Sequence, residues 1–116
     1  MLSDTLEMSL LFDFYGDLLA NKQKICFDLY HNQDLSLAEI AQSEGISRQG
    51  VHDAIARAEK ALRGFEQVLG CVQREQLLRQ ELAEITAAAQ ALQHCADPTV
   101  HQAAEKILAA ANRLKE

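Results

Sequence analysis

Six residues in this chain turn a corner cheaply, five glycines and a single proline among 116. Ordinary usage would supply roughly twice that number. A β-sandwich or barrel needs a turn about every 8–12 residues, so the scarcity of turn formers makes the chain all-α. At this length it holds one domain, or one small domain with an appendage, and leaves no room for a multidomain enzyme. Hydrophobic residues at 48% are enough for a packed core, and charged residues at 24% fit neither disorder nor a fibrous class. No apolar run approaches the roughly 18 residues of a membrane span, and the N-terminus is acidic where a secretory signal is basic. A soluble cytoplasmic protein is expected.

All six aromatic residues, Phe12, Phe14, Tyr15, Phe27, Tyr30 and Phe65, precede residue 66, and the remainder is rich in Leu, Ala and Gln. Bulky rings suit a compact core, whereas small regular side chains suit helices packed along their length. The chain therefore divides into residues 1–66, a compact helical domain, and residues 67–116, a helical hairpin or coiled-coil extension.

A first helix starting at Ser3 or Asp4 carries Leu6, Leu10, Leu11, Phe14 and Leu18 at helical spacing, with Asp4, Glu7, Asp13 and Asp17 on the wet side. Asn21 fits the N-cap of a second helix, whose Ile25 and Leu29, with Cys26 and Tyr30, point inward until His31, Asn32, Gln33 and Asp34 break the pattern. Ser36 to Glu39 has the form of a capping box, so a third helix begins there and stops at Gly45. Ser47 caps a fourth, with Val51, Ala54, Ile55, Ala58 and Leu62 as its buried stripe. Further on, Cys71, Leu78, Ile85 and Leu92 recur every seven residues beside Leu82 and Ala89, interrupted only by Glu75. Asp97 and Pro98 start a last helix carrying Val100, Ala104, Ile107, Ala111 and Leu114. The short turn at 95–97 folds these two helices into an antiparallel hairpin whose seams are also available to a second chain.

Cys26, Cys71 and Cys95 contain no Cys-x-x-Cys pair and read as reduced core thiols. His94, Cys95, Asp97 and His101 cluster without any standard zinc spacing and read as a polar hairpin turn, so no metal or cofactor is expected. Asp13 and Asp17 sit one turn apart. Their acidic face is a second candidate surface, one that would meet a basic partner.

Residues 36–57 meet the demands of a helix-turn-helix: Ile40 and Ala41 anchor the first helix, Gly45 makes the turn, Ile46 plugs the corner, and Val51 with Ala54 or Ile55 docks the second helix. The second helix then presents Arg48, Gln49, His52 and Asp53 outward. Arg48 and Gln49 are the donor-rich residues expected at base edges, and Ser47, Arg57, Lys60 and Arg63 are placed to hold phosphates. The net charge of −6 discourages binding to a polyanion through bulk charge, so nucleic-acid contact must be local. The window from Ile46 to Gly64, with four bases and two acids, is the stretch with a clear positive balance. Readers of this type usually meet DNA as two-fold pairs, so a homodimer through the hairpin or helix one is expected.

The segments LFDFYGDLL at 11–19, K-Q-K around residue 23, S-L-A-E-I-A at 36–41 and S-R-Q-G-V-H-D at 47–53 resemble the YlxM family of small bacterial helix-turn-helix proteins. The likeness is strongest over residues 10–60. It implies a helix-turn-helix bundle like the promoter-reading C-terminal domain of sigma factors, a DNA-binding regulatory role, and a link to the signal recognition particle pathway inferred from genes beside that particle's GTPase. It implies no catalytic residues. Gly50, His52 and Ala56 stand where the family commonly has alanine, tyrosine and lysine, and the last difference removes a phosphate contact. The alternative is an adaptor that binds signal recognition particle components, modulating the GTPase without sequence-specific DNA binding.

Overall fold

The computed structural model describes residues 4–115, and every regular element among them is helical. Helix α1 spans Thr5–Tyr15. Its N-cap is Asp4, whose Oδ1 accepts from the amides of Leu6 at 2.8 Å and Glu7 at 3.3 Å; the other expected start, Ser3, lies outside the described residues. A 3₁₀ turn at Gly16–Leu18 leads to α2, Asn21–Phe27. Ala20 occupies the N-cap of α2, with no side-chain hydrogen bond, so Asn21 is its first helical residue and not its cap.

The chain does not break at His31. It continues as a π-helical turn through Asp28–Asn32, because the His31 ring is drawn inward to polar partners. Asp28 then accepts from the side-chain amides of Asn32 and Gln33, closing the turn. The remaining helices are α3, Leu37–Glu44; α4, Arg48–Leu69; α5, Cys71–Leu92; and α6, Pro98–Lys115. The composition shift at residue 66 falls inside α4, which runs on to Leu69 and ends at Gly70.

Helix α1 is turned from the orientation its leucines suggest. Met8, Leu11 and Tyr15 are buried, with Phe12 packed against them, whereas Leu6, Leu10 and Phe14 are exposed, as is Leu18 in the following turn. The helix carries two apolar stripes at helical spacing. The core takes the one containing rings that stack: Phe12 lies flat on Phe27 at 4.8 Å, and Tyr15 meets Phe65 at 6.0 Å. Gly16 permits this, since a Cβ there would stand 3.0 Å from the Phe12 ring.

Contacts gather the chain into two compact units, the first ending at Val72 and the second starting at Gln73. The first has two adjoining cores. One joins Met8, Leu11, Tyr15, Leu19 and Phe27 to Ala58 and Leu62 of α4; the other joins Cys26, Ile40, Val51 and Ile55. Each fully buried Leu, Ile or Phe in them contributes about 1.5–3 kcal/mol, so α4, which supplies residues to both, is the spine of the unit. The expected α4 stripe is present, with Ala54 partly buried and Glu59 added to it.

In the second unit, Asp97 caps α6 through the Thr99 amide at 2.9 Å. The start of α5 and the end of α6 line one recess, so the two helices run antiparallel. The unit withdraws Leu82, Ala89, Ala104 and Ala111 from solvent and leaves Leu78, Ile85, Leu92, Ile107 and Leu114 exposed. Of the expected core thiols, Cys26 is buried and Cys71 half-buried, but Cys95 is exposed, because it sits in the hairpin turn beyond the reach of any core. Burial pushes the Cys26 thiol above its ordinary value. No helix among the described residues is long and apolar enough to cross a membrane.

Candidate nucleic-acid interface

The site is a corner and the helix that leaves it. Both halves of the capping box at the start of α3 are present: the Glu39 amide donates to Ser36 Oγ at 3.1 Å, and the Ser36 amide donates to Glu39 Oε1 at 3.0 Å. That backbone hydrogen bond holds the Glu39 carboxyl below its usual range. At the other end Gly45 adopts φ 68°, ψ 32°, and the amides of Gly45 and Ile46 both return to the Ala41 carbonyl. The Gly45 bond is that of the αL cap and the Ile46 bond the long one of the Schellman motif, in which the residue after the left-handed one packs back onto the helix; Ile46 does so, against the Ile40 and Val51 core. Ser47 then starts α4, its Oγ accepting from the Gly50 amide at 2.9 Å. A Cβ on residue 50 would lie 3.1 Å from that Oγ, so glycine leaves room for the cap.

With Val51, Ile55, Ala58 and Leu62 turned to the core, the opposite side of α4 faces solvent. Ser47, Arg48, Gln49, Asp53, Arg57, Lys60 and Arg63 are exposed and His52 is half-buried. Leu37, Arg48, Gln49 and His52 line an open recess of about 430 Å³ where α3 and α4 both begin. Gln49 Nε2 donates to Asp53 Oδ1 at 3.0 Å, so the acid in this patch is occupied by the amide beside it. His52 Nδ1 lies 3.8 Å from the same carboxylate and has no hydrogen-bond partner among the described residues. Ser47 has used its oxygen as an acceptor and keeps its hydroxyl hydrogen to donate.

The expected residues divide into two groups along the axis. Helix rise puts Lys60 about 18 Å and Arg63 about 22 Å beyond Arg48, whereas Gln49, His52 and Asp53 lie within about 8 Å of it. The recess therefore collects Arg48, Gln49 and His52, with Asp53 adjoining, while Arg57, Lys60 and Arg63 continue the basic strip toward the far end. A helix N-terminus also carries a partial positive charge that favours phosphate.

Two features of this frame were not foreseen from sequence. His31 is buried, its Nε2 2.8 Å from Glu59 Oε2 and its Nδ1 3.0 Å from Thr5 Oγ1, with the rings of Phe27 and Tyr30 beside it. A carboxylate accepts, so Nε2 carries the hydrogen. The pair ties α4 to the π-turn and to α1, and it turns one of the two acids of the basic window inward. The available signal was spacing: Glu59 is four residues from Ile55 and three from Leu62, and His31 four from Phe27. The second feature is the Tyr15 hydroxyl, which donates to Glu66 Oε1 at 2.6 Å and accepts from the Cys71 amide at 2.9 Å, while the Val72 amide donates to the same Glu66 oxygen. Burial, then the hydrogen bond to Glu66, pushes the phenol up to about 12, keeping it a donor. These contacts occupy two of the four amides that the first turn of α5 cannot bond internally.

In the hairpin turn, the His101 ring nitrogens approach the Gln93 carbonyl at 3.2 Å and Glu105 at 3.0 Å. The ring is engaged by its own hairpin.

Comparison with known proteins agrees with this geometry. Residues 2–101 match the profile of the UPF0122 family, described as "Putative helix-turn-helix protein, YlxM / p13 like". The UPF0122 protein of Thermoanaerobacter sp. (strain X514) is 49% identical over 82 residues, 71% of this chain and 70% of that protein. Its counterpart in Caldanaerobacter subterraneus subsp. tengcongensis is 46% identical over 85 residues, 73% of each chain. That of Listeria monocytogenes serotype 4b is 43% identical over 90 residues, 74% of this chain and 82% of its own. An all-α chain with a capped helix, a left-handed glycine corner and a second capped helix, related to these proteins over more than two thirds of its length, belongs to the UPF0122 family of YlxM / p13-like helix-turn-helix proteins.

Proposed function

We propose that the protein is a nonenzymatic, DNA-binding regulatory protein of the cytoplasm in which the first turns of α4 enter the major groove. Arg48 and Gln49 face base edges, with His52 at the recess wall and Asp53 holding the Gln49 amide. Ser47, through its free hydroxyl hydrogen, and Arg57 contact phosphates, and Lys60 and Arg63 supply attraction farther along. The observation that carries this reading is the exposed Arg48–Gln49–His52 recess at the start of a helix whose corner is fixed by Gly45 and whose opposite face is locked into both cores. The test is binding-site selection from a random DNA pool, followed by titration of variants on the selected site. Arg48→Ala is expected to lose about 1–3 kcal/mol at one base step, whereas Lys60→Ala weakens all sequences alike and lowers the salt slope by about 1. No enriched sequence, or equal losses on all sequences from both variants, would refute it.

The protein acts as a pair in this reading, joined through the hairpin. An interface is about 56–65% apolar, and Leu78, Ile85, Leu92, Ile107 and Leu114 of the hairpin offer on the order of 400 Å² per copy, which corresponds to a standard interface of about 1,200–2,000 Å² in total. Ile85→Asp should then halve the sedimenting mass, and an unchanged mass would exclude this pairing.

The net charge of −6 and Ala56 in the reading helix favour a second reading, an adaptor for signal recognition particle components that modulates the particle's GTPase. Co-purification with that GTPase, together with failure to retard any DNA at low salt, would select it.

A further inference from the structure

Helix α1 has two apolar stripes and the fold uses one. Leu6 is 75% exposed, Leu10 39%, Phe14 45% and Leu18 59%. Leu6, Leu10 and Phe14 run in steps of four residues over about 12 Å of α1, and Leu18 follows in the 3₁₀ turn. The exposed apolar area is on the order of 400 Å², the size of the largest patch on a typical monomer and one that is often functional. Along the helix, Glu7 flanks this stripe on one side and Asp13 on the other, with Asp17 in the turn beyond. The first basic residue of the chain is Lys22. Asp17 is paired with Lys24 at 2.6 Å, which holds its carboxyl below the usual range, yet its side chain is 95% exposed and open to a second cation.

We propose that this face of α1 is a docking surface for a basic amphipathic helix of another protein. An apolar stripe between acidic rims is complementary to a helix with a leucine-type stripe between Lys or Arg residues, the helix-in-groove mode of recognition with charge setting partner choice. A second copy of this chain fits poorly. Antiparallel pairing about the midpoint of Leu10 and Phe14 sets each edge of the stripe against the same edge of the partner, so Asp13 comes against the partner's Asp13 and like charges meet. A membrane surface fits no better, because interfacial helices place Lys and Arg beside anionic headgroups. The surface is on α1 and the recess is on α4, so the assignment stands whether or not the protein reads DNA.

The probe is a fluorescein-labelled 14-residue peptide of leucine and lysine with leucines at i, i+3 and i+4 spacing, titrated into the full chain by anisotropy. The control is the same peptide with glutamate for lysine. Saturable binding of the lysine peptide is expected, weakening with salt, with amide shift changes in the protein centred on residues 6–18. Phe14→Ser should weaken it about tenfold or more, and Asp13→Lys about two- to fivefold. Both positions are exposed, and unchanged circular dichroism and melting temperature will confirm the fold. The proposal is overturned if the glutamate peptide binds equally, if Phe14→Ser binds as the wild type does, or if the shifts gather elsewhere. A fall in sedimenting mass on Phe14→Ser also overturns it, because a second copy would then be the occupant.

Discussion

Replacing His31 and Glu59, singly and together, tests whether α4 is held by a buried polar contact. At 2.8 Å with both side chains removed from water, the Nε2–Glu59 hydrogen bond has no solvent to replace either member. Glu59→Gln keeps the volume and an acceptor but exchanges a charged acceptor for a neutral one, a loss of about 1 kcal/mol. Glu59→Leu strands the Nε2–H in the core and should cost about 2–3 kcal/mol. His31→Leu takes one partner from a buried carboxylate and should cost about 3 kcal/mol. Removing both deletes the hydrogen bond together with its two members, so the double variant should be more stable than the sum of the single losses implies by about 2 kcal/mol. Urea unfolding followed by tyrosine fluorescence isolates the relevant unit, since Tyr15 and Tyr30 both lie before Val72. An unchanged urea slope would confirm that native and unfolded surfaces are comparable. Losses that add to within about 0.5 kcal/mol would refute the coupling.

At Gly45 the left-handed backbone is the whole constraint, since a Cβ would meet nothing within 4 Å; Gly45→Ala should cost about 1–2 kcal/mol and Gly45→Asn less, read from the same urea midpoints. Asp34 is the mirror case, a non-glycine at φ 57°, so Asp34→Gly should be neutral or slightly stabilising, and a clear loss would show that its side chain holds the turn. The depressed Glu39 carboxyl contributes stability above the ordinary carboxylate range that is lost as pH falls through its lowered value. The wild-type advantage over Glu39→Gln should therefore shrink in acid, and a difference constant from pH 7 to pH 3 would contradict the capping role.

The parts of the fold legible in the sequence were those set by one residue's local chemistry. Ser36 with Glu39, Gly45, Ser47 and Asp97 each act within four residues, and each stands where its side chain or backbone freedom predicts. Periodicity failed where it was degenerate. In α1 both Leu6–Leu10–Phe14 and Met8–Leu11–Tyr15 satisfy helical spacing, and the choice between them depends on ring contacts with Phe27 and Phe65, residues 15 and more positions away. The His31–Glu59 contact was hidden for a related reason. A charged side chain on an apolar stripe is normally placed at the boundary, and only its partner 28 residues off makes burial tolerable. The candidate reading residues were visible because they follow from the cap, whereas the grouping of His52 with Arg48 and Gln49 required Leu37, from the helix before, to complete the recess.

Gly16 bears on the order in which this chain can accumulate change. Asparagine can replace a left-handed glycine at modest expense, but any L-residue at 16 puts its first carbon 3.0 Å from the Phe12 ring, which must shift where it stacks on Phe27. A lineage that loses this glycine must first have trimmed the aromatic at 12. The two sites should therefore vary together.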